Sequence, residues 1–106
     1  MTMKDIIAQA SSGALTLIDV REANEVQSTG QAAGALHIPL GLLSMKADPK
    51  SPDFDKRLAA GKPVAVYCAV GGRAGMATQT LQRLGYNATN IGGFGDWASA
   101  GGPIAR

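Results

Sequence analysis

The chain has one cysteine, and five residues after it stands an arginine, with two glycines between them: Cys68-Ala69-Val70-Gly71-Gly72-Arg73. A short apolar run after a proline, Val64-Ala65-Val66-Tyr67, leads into the cysteine and reads as a buried strand. After the arginine, Met76, Ala77, Thr80, Leu81 and Leu84 recur at helical spacing, and Gly85 stops the pattern. A glycine-containing turn from strand to helix can aim successive backbone N–H groups inward as an anion-binding concavity. The new helix adds its unpaired N–H groups and the positive end of its dipole. Arg73 adds a permanent charge and a planar fork of donors. A thiol at the bottom of such a loop should ionise easily, and the thiolate is the nucleophile. The plainer alternative is that Cys68 is a small buried apolar residue closing a strand.

The remaining elements must position this loop. Residues 4–10 carry Ile6, Ile7 and Ala10 at helical spacing, ended by Ser11-Ser12-Gly13. Residues 15–20 read as a first buried strand that runs into Asp19-Val20-Arg21-Glu22. Polar groups at the carboxyl ends of strands line the ligand crevice of open α/β sheets, so Asp19 and Arg21 are candidate supports of the site. Their alternative is a helix cap and a solvent-facing charge. Residues 22–28 predict one or two helical turns, 35–39 a short strand, 40–47 a helix and 54–60 a further helix. Residues 88–91 predict a last strand, and 94–98 a final helix before Gly101-Gly102-Pro103. His37 alternates with Leu36 and Ile38 and has no second ligand-type residue at metal spacing, so it is assigned no catalytic role. Trp97 is read as a core anchor. Strands alternating with helices mean an α/β fold with a mostly parallel sheet.

Composition narrows the function. The 106 residues fit one domain spanning 1–106, with 45% hydrophobic and 17% charged residues. A net charge of +2 gives no case for nucleic acid or an anionic membrane as partner. One cysteine excludes an internal disulfide and a Cys-rich metal site, and no metal or other cofactor is called for. No apolar run has the length of a membrane span, and Lys4-Asp5 interrupts any signal-peptide pattern, so a cytoplasmic location is expected.

Four segments in order resemble the single-domain form of the rhodanese family of sulfurtransferases. They are Leu17-Ile18-Asp19-Val20-Arg21-Glu22, Gly34-Ala35-Leu36-His37-Ile38-Pro39-Leu40, the loop from Val66 to Ala74, and Gly92-Gly93-Phe94-Gly95-Asp96-Trp97 with Gly101-Gly102-Pro103. The resemblance implies a five-stranded, mainly parallel sheet with helices on both faces. It implies that Cys68 carries sulfane sulfur as a persulfide, taken from a small anionic donor such as thiosulfate and passed to cyanide, a thiol or a protein. Ala69, Val70, Gly71, Gly72 and Arg73 would then bind the substrate, with Arg73 either orienting an anionic donor or holding the loop against Asp19. The loop from Cys68 to Arg73 has the six-residue length that resembles sulfurtransferases, whereas phosphatases and arsenate reductases of this fold have one residue more. Two departures stand out: Gly30-Gln31-Ala32-Ala33 replaces the usual Gly-His-Ile, and Ala69 and Val70 bring no basic or hydroxyl group after the cysteine. The rival expectation is a non-catalytic rhodanese-like module that binds a protein partner or relays sulfur from one.

Overall fold

A computed structural model describes residues 2–106. Helix α1 (Met3–Ser12) precedes strand β1 (Thr16–Asp19) and helix α2 (Ala23–Thr29). Two-residue strands β2 (Gln31–Ala32) and β3 (Leu36–His37) follow, then α3 (Leu40–Ala47) and a 3-10 turn (Lys56–Ala60). The second half runs β4 (Val64–Cys68), α4 (Gly72–Arg83), β5 (Ala88–Gly93), α5 (Phe94–Ser99) and β6 (Ile104–Ala105).

The main sheet has the order β3-β1-β4-β5, and all its neighbours are parallel. It therefore holds four strands, not the five expected. The other two strands form a separate antiparallel pair, with Gln31 opposite Ala105 and Ala32 opposite Ile104. Two-residue strands are too short to show a period-2 pattern, which is why that pair leaves no mark in the sequence.

Alternation along the central strands sorts the core into two layers. Val64, Val66 and Cys68 of β4 face α3 and α4, packing with Leu43, Ala47, Ala74, Ala77 and Leu81. Ala65 and Tyr67 face the opposite side, with Ile6 of α1 and Trp97 of α5. Helices thus cover both faces of the sheet. Trp97 is 1% exposed, and its indole Nε1 donates to the Pro103 carbonyl at 2.8 Å, so it anchors the core as expected. The indole also accounts for Gly102, where an added Cβ would lie 2.6 Å from Cδ2 of that ring.

One helical face differs from expectation. The buried positions of α4 are Ala74, Ala77, Thr78 and Leu81, whereas Met76 is exposed. Because the helix begins at Gly72, its small residues meet the sheet and let the backbone approach β4 closely. The stretch expected as a helix over 54–60 is a tighter 3-10 turn, with the Asp55 side chain accepting from the Arg57 amide.

Candidate active site

Cys68 ends β4, and the chain turns at once into α4 through Gly71, whose φ of 109° places it in the left-handed region. That conformation suits glycine and turns the loop amides toward the sulfur. The Gly71 N–H donates to Sγ at 2.9 Å and the Ala74 N–H at 3.4 Å. Burial pushes the Cys68 thiol up, but the N–H groups of Ala74, Gly71, Val70 and Arg73 outweigh it and bring the pKa below its ordinary value. The residue is only 1% exposed, so it is also part of the core beside Val66 and Ala74. Both sequence readings of the cysteine therefore meet at one atom: a packed side chain whose sulfur faces a row of donors. Val70 stands at the loop tip with 88% of its surface exposed.

Arg73 does not reach Asp19. Its two terminal nitrogens donate to the two carboxylate oxygens of Glu25 at 2.6 and 2.8 Å, a fork-to-fork pair between α4 and α2. The hydrogen bonds from Arg73 hold the Glu25 carboxyl down at about 2, and the carboxylate raises the already high pKa of the guanidinium. Sequence reasoning missed Glu25. Its signal was available: it stands three residues after Glu22, in the first turn of the helix that leaves the carboxyl end of β1, on the same rim as the loop.

Asp19 and Arg21 are brought together, and among the described residues neither is hydrogen-bonded to the sulfur. Asp19 is fully buried and Arg21 is 2% exposed, so the solvent-facing alternative for Arg21 is overturned. Arg21 Nη2 donates to Asp19 Oδ2 at 2.8 Å and to the Gly30 carbonyl at 2.9 Å, while Nη1 donates to Thr29 Oγ1 at 2.8 Å. The Tyr67 hydroxyl donates to Asp19 Oδ2 at 2.7 Å and accepts from the Ala32 amide at 2.9 Å. Burial first, then the bond to Asp19, pushes the Tyr67 hydroxyl pKa strongly up, which keeps it a donor. The Arg21 guanidinium also lies 4.5 Å from the centre of the Phe94 ring. This network fastens the end of β1 to α2 and to the residue before Cys68. Among the described residues it makes no hydrogen bond to residues 68–73, so its contact with the loop is through the chain. His37, assigned no catalytic role from the sequence, has Nε2 2.7 Å from the Arg21 carbonyl oxygen.

Strand β5 supplies a second set of supports that the sequence reading left out. Asn90 Nδ2 donates to the Gly71 carbonyl at 3.1 Å. The register of β4 and β5 slips between Val66 opposite Asn90 and Cys68 opposite Gly93, so β5 carries an extra residue there. The slip lays Gly93 against the loop, where a Cβ would collide with the Ala69 carbonyl oxygen and lie 3.1 Å from Val70 Cα. Beside Ala69, between α2 and the start of α5, a cleft of about 340 Å³ is lined by Asn24, Glu25, Ser28, Thr29 and Phe94, among others.

The model of the rhodanese-like domain family matches residues 2–100, and the chain belongs to that family. Among curated proteins it is 40% identical over 85 residues to the uncharacterized protein YqhL of Bacillus subtilis, covering 76% of this chain and 59% of that protein. The chain thus spans less than two thirds of that relative. It is 32% identical over 92 residues to thiosulfate sulfurtransferase 16, chloroplastic, of Arabidopsis thaliana, covering 81% of this chain and 76% of the relative. Among solved structures it superposes with a TM-score of 0.86 on a protein of unknown function from Rhodopseudomonas palustris, described as a possible tyrosine phosphatase. The identity there is 36%, over 97% of this chain and 81% of the other. Among the described residues, no helix is long and apolar enough to cross a membrane.

Proposed function

We propose that the chain is a sulfurtransferase that carries sulfane sulfur on Cys68. The observation that carries this reading is the row of backbone donors around a sulfur whose pKa they lower. The Cys68 thiolate attacks the outer sulfur of a donor such as thiosulfate. A new S–S bond forms, the donor's own S–S bond breaks, and sulfite leaves with the electron pair. The terminal sulfur of the persulfide then carries the negative charge, close to the N–H groups of residues 70, 71, 73 and 74, which need no rearrangement to stabilise it. An acceptor attacks that terminal sulfur and releases the thiolate, a two-step exchange. Cys68 is the chain's single cysteine, so the acceptor (cyanide in an assay, a thiol or protein otherwise) comes from outside. Ala69 to Arg73 form the binding loop, Asp19 and Arg21 support it through the chain, and the cytoplasm is the proposed setting.

The activity suggested for the Rhodopseudomonas relative defines the rival. The loop from Cys68 to Arg73 has six residues, one fewer than the loop that phosphatases of this fold use to seat a tetrahedral oxyanion. The test is steady-state turnover with thiosulfate and cyanide, followed by sulfite release. Parallel double-reciprocal lines and complete loss in Cys68→Ser are expected. Activity retained in Cys68→Ser, or turnover of p-nitrophenyl phosphate without sulfite release, overturns the reading. Absence of both activities leaves the binding or relay module.

A further inference from the structure

Asn90 is an exposed residue of β5, yet both ends of its side-chain amide are taken by backbone. Nδ2 donates to the Gly71 carbonyl at 3.1 Å, and Oδ1 accepts from the Gly92 amide at 2.8 Å. The first bond joins β5 to the cysteine loop. The second closes the local turn where β5 carries its extra residue. Loop and strand lie close here: a Cβ on Gly71 would be 3.6 Å from Gly92 Cα. The Gly71 carbonyl also accepts from the Gly75 amide at 3.0 Å, the bond that opens α4. Gly71-Gly72 is the loop's one peptide with no Cβ on either side, so sterics alone do not fix its orientation. The two hydrogen bonds on its oxygen do. The residue they hold is the one whose own N–H donates to Cys68 Sγ at 2.9 Å.

From this, and resting on the sulfurtransferase reading above, we infer that Asn90 is a positioning residue for the sulfur chemistry at Cys68. Its Nδ2 clamps Gly71 from the neighbouring strand, so that the Gly71 N–H keeps its aim at the thiolate and stays in place when the persulfide carries the charge. Asn90 acts through Gly71 and exchanges no proton with a reacting atom. Its two bonds do separable work: the one to Gly92 shapes the strand, and the one to Gly71 reaches the site. An aspartate keeps an acceptor for Gly92 but sets a carboxylate oxygen against the Gly71 carbonyl, and its charge opposes the thiolate. A residue serving only the strand turn should therefore tolerate Asp better than Ala. A residue that positions the loop should tolerate Asp worst.

The experiment compares the native protein with Asn90→Ala and Asn90→Asp. It reads the pH dependence of iodoacetamide alkylation at Cys68, the single-turnover rate of sulfur loading by intact mass, and thermal unfolding. The donors are thiosulfate and, separately, cysteine hydropersulfide. At neutral pH, alkylation and loading should each slow about three- to tenfold in Asn90→Ala, the range one hydrogen bond carries, and further in Asn90→Asp. The alkylation profile should move to higher pH in the same order. A turn-shaping role alone would lower the unfolding temperature, more in Asn90→Ala than in Asn90→Asp, and leave the alkylation profile in place. Profiles that coincide in all three proteins, or an Asn90→Asp profile closer to native than that of Asn90→Ala, overturn this inference alone. A native protein that takes up sulfur from neither donor overturns the sulfurtransferase reading beneath it, and the alkylation profiles still test the clamp.

Discussion

Gly93→Ala should disturb the chemistry of Cys68 from the neighbouring strand. Gly93 has φ −114° and ψ 165°, extended values that any residue adopts, so the substitution adds no backbone strain of its own. The added Cβ would collide with the Ala69 carbonyl oxygen, and would lie 2.9 Å from the Ala69 carbonyl carbon and 3.1 Å from Val70 Cα. Ordinary contact begins near 3.4 Å, so the loop must retreat by about 0.5 Å or more, the difference between 3.4 and 2.9. Such overpacking costs about 1–3 kcal/mol of stability. The retreat also moves the amides that face Sγ. One hydrogen bond to an ionised group is worth about 1.5–3 kcal/mol, so losing one should raise the thiol pKa and slow alkylation at neutral pH. The assay is the pH dependence of iodoacetamide alkylation at Cys68, beside thermal unfolding. An alkylation profile superimposable on that of the native protein would refute the claim that loop placement against β5 sets the ionisation of the thiol.

Gly41→Ala is the matching control: nothing lies within 4 Å of its Cβ inside α3, so thermal unfolding should show no loss and up to about 1 kcal/mol gain. Asp19→Asn leaves the buried Arg21 charge uncompensated and should cost about 3–5 kcal/mol, read as a lower denaturant midpoint. The Glu25–Arg73 pair should follow acid in a definite direction. Because the folded-state pKa of Glu25 is lowered from 4.5 to about 2, its contribution is present above pH 4.5 and is lost as pH falls toward 2. Both side chains are about a third exposed, so the pair is worth at most about 1 kcal/mol, measured as the urea-stability gap between native and Glu25→Gln at pH 7 closing near pH 2.

Much of this architecture was legible because its signals are local. Val64 to Tyr67 is an apolar run bounded by a proline, Gly71 and Gly72 punctuate the turn, and residues 40–47 gave a helix whose bounds match α3. The cradle was foreseeable for the same reason, since strand, glycine turn and helix follow one another along the chain. What escaped was long-range. Glu25 meets Arg73 across 48 residues, and Asn90 reaches Gly71 across 19. No periodicity encodes either contact; each depends on how the sheet order places α2 and β5 on the two sides of the loop. The exposure of Met76 escaped because helix phase follows from where the chain leaves the cradle, at Gly72, and a hydropathy pattern does not carry that starting point.

The most direct test of the account is the intact mass of the protein after exposure to a sulfane donor, thiosulfate and cysteine hydropersulfide in turn, beside Cys68→Ser. The account predicts a gain of one sulfur atom on the native chain, removed by cyanide, and none on the variant. No gain from either donor, or an equal gain on Cys68→Ser, would contradict it.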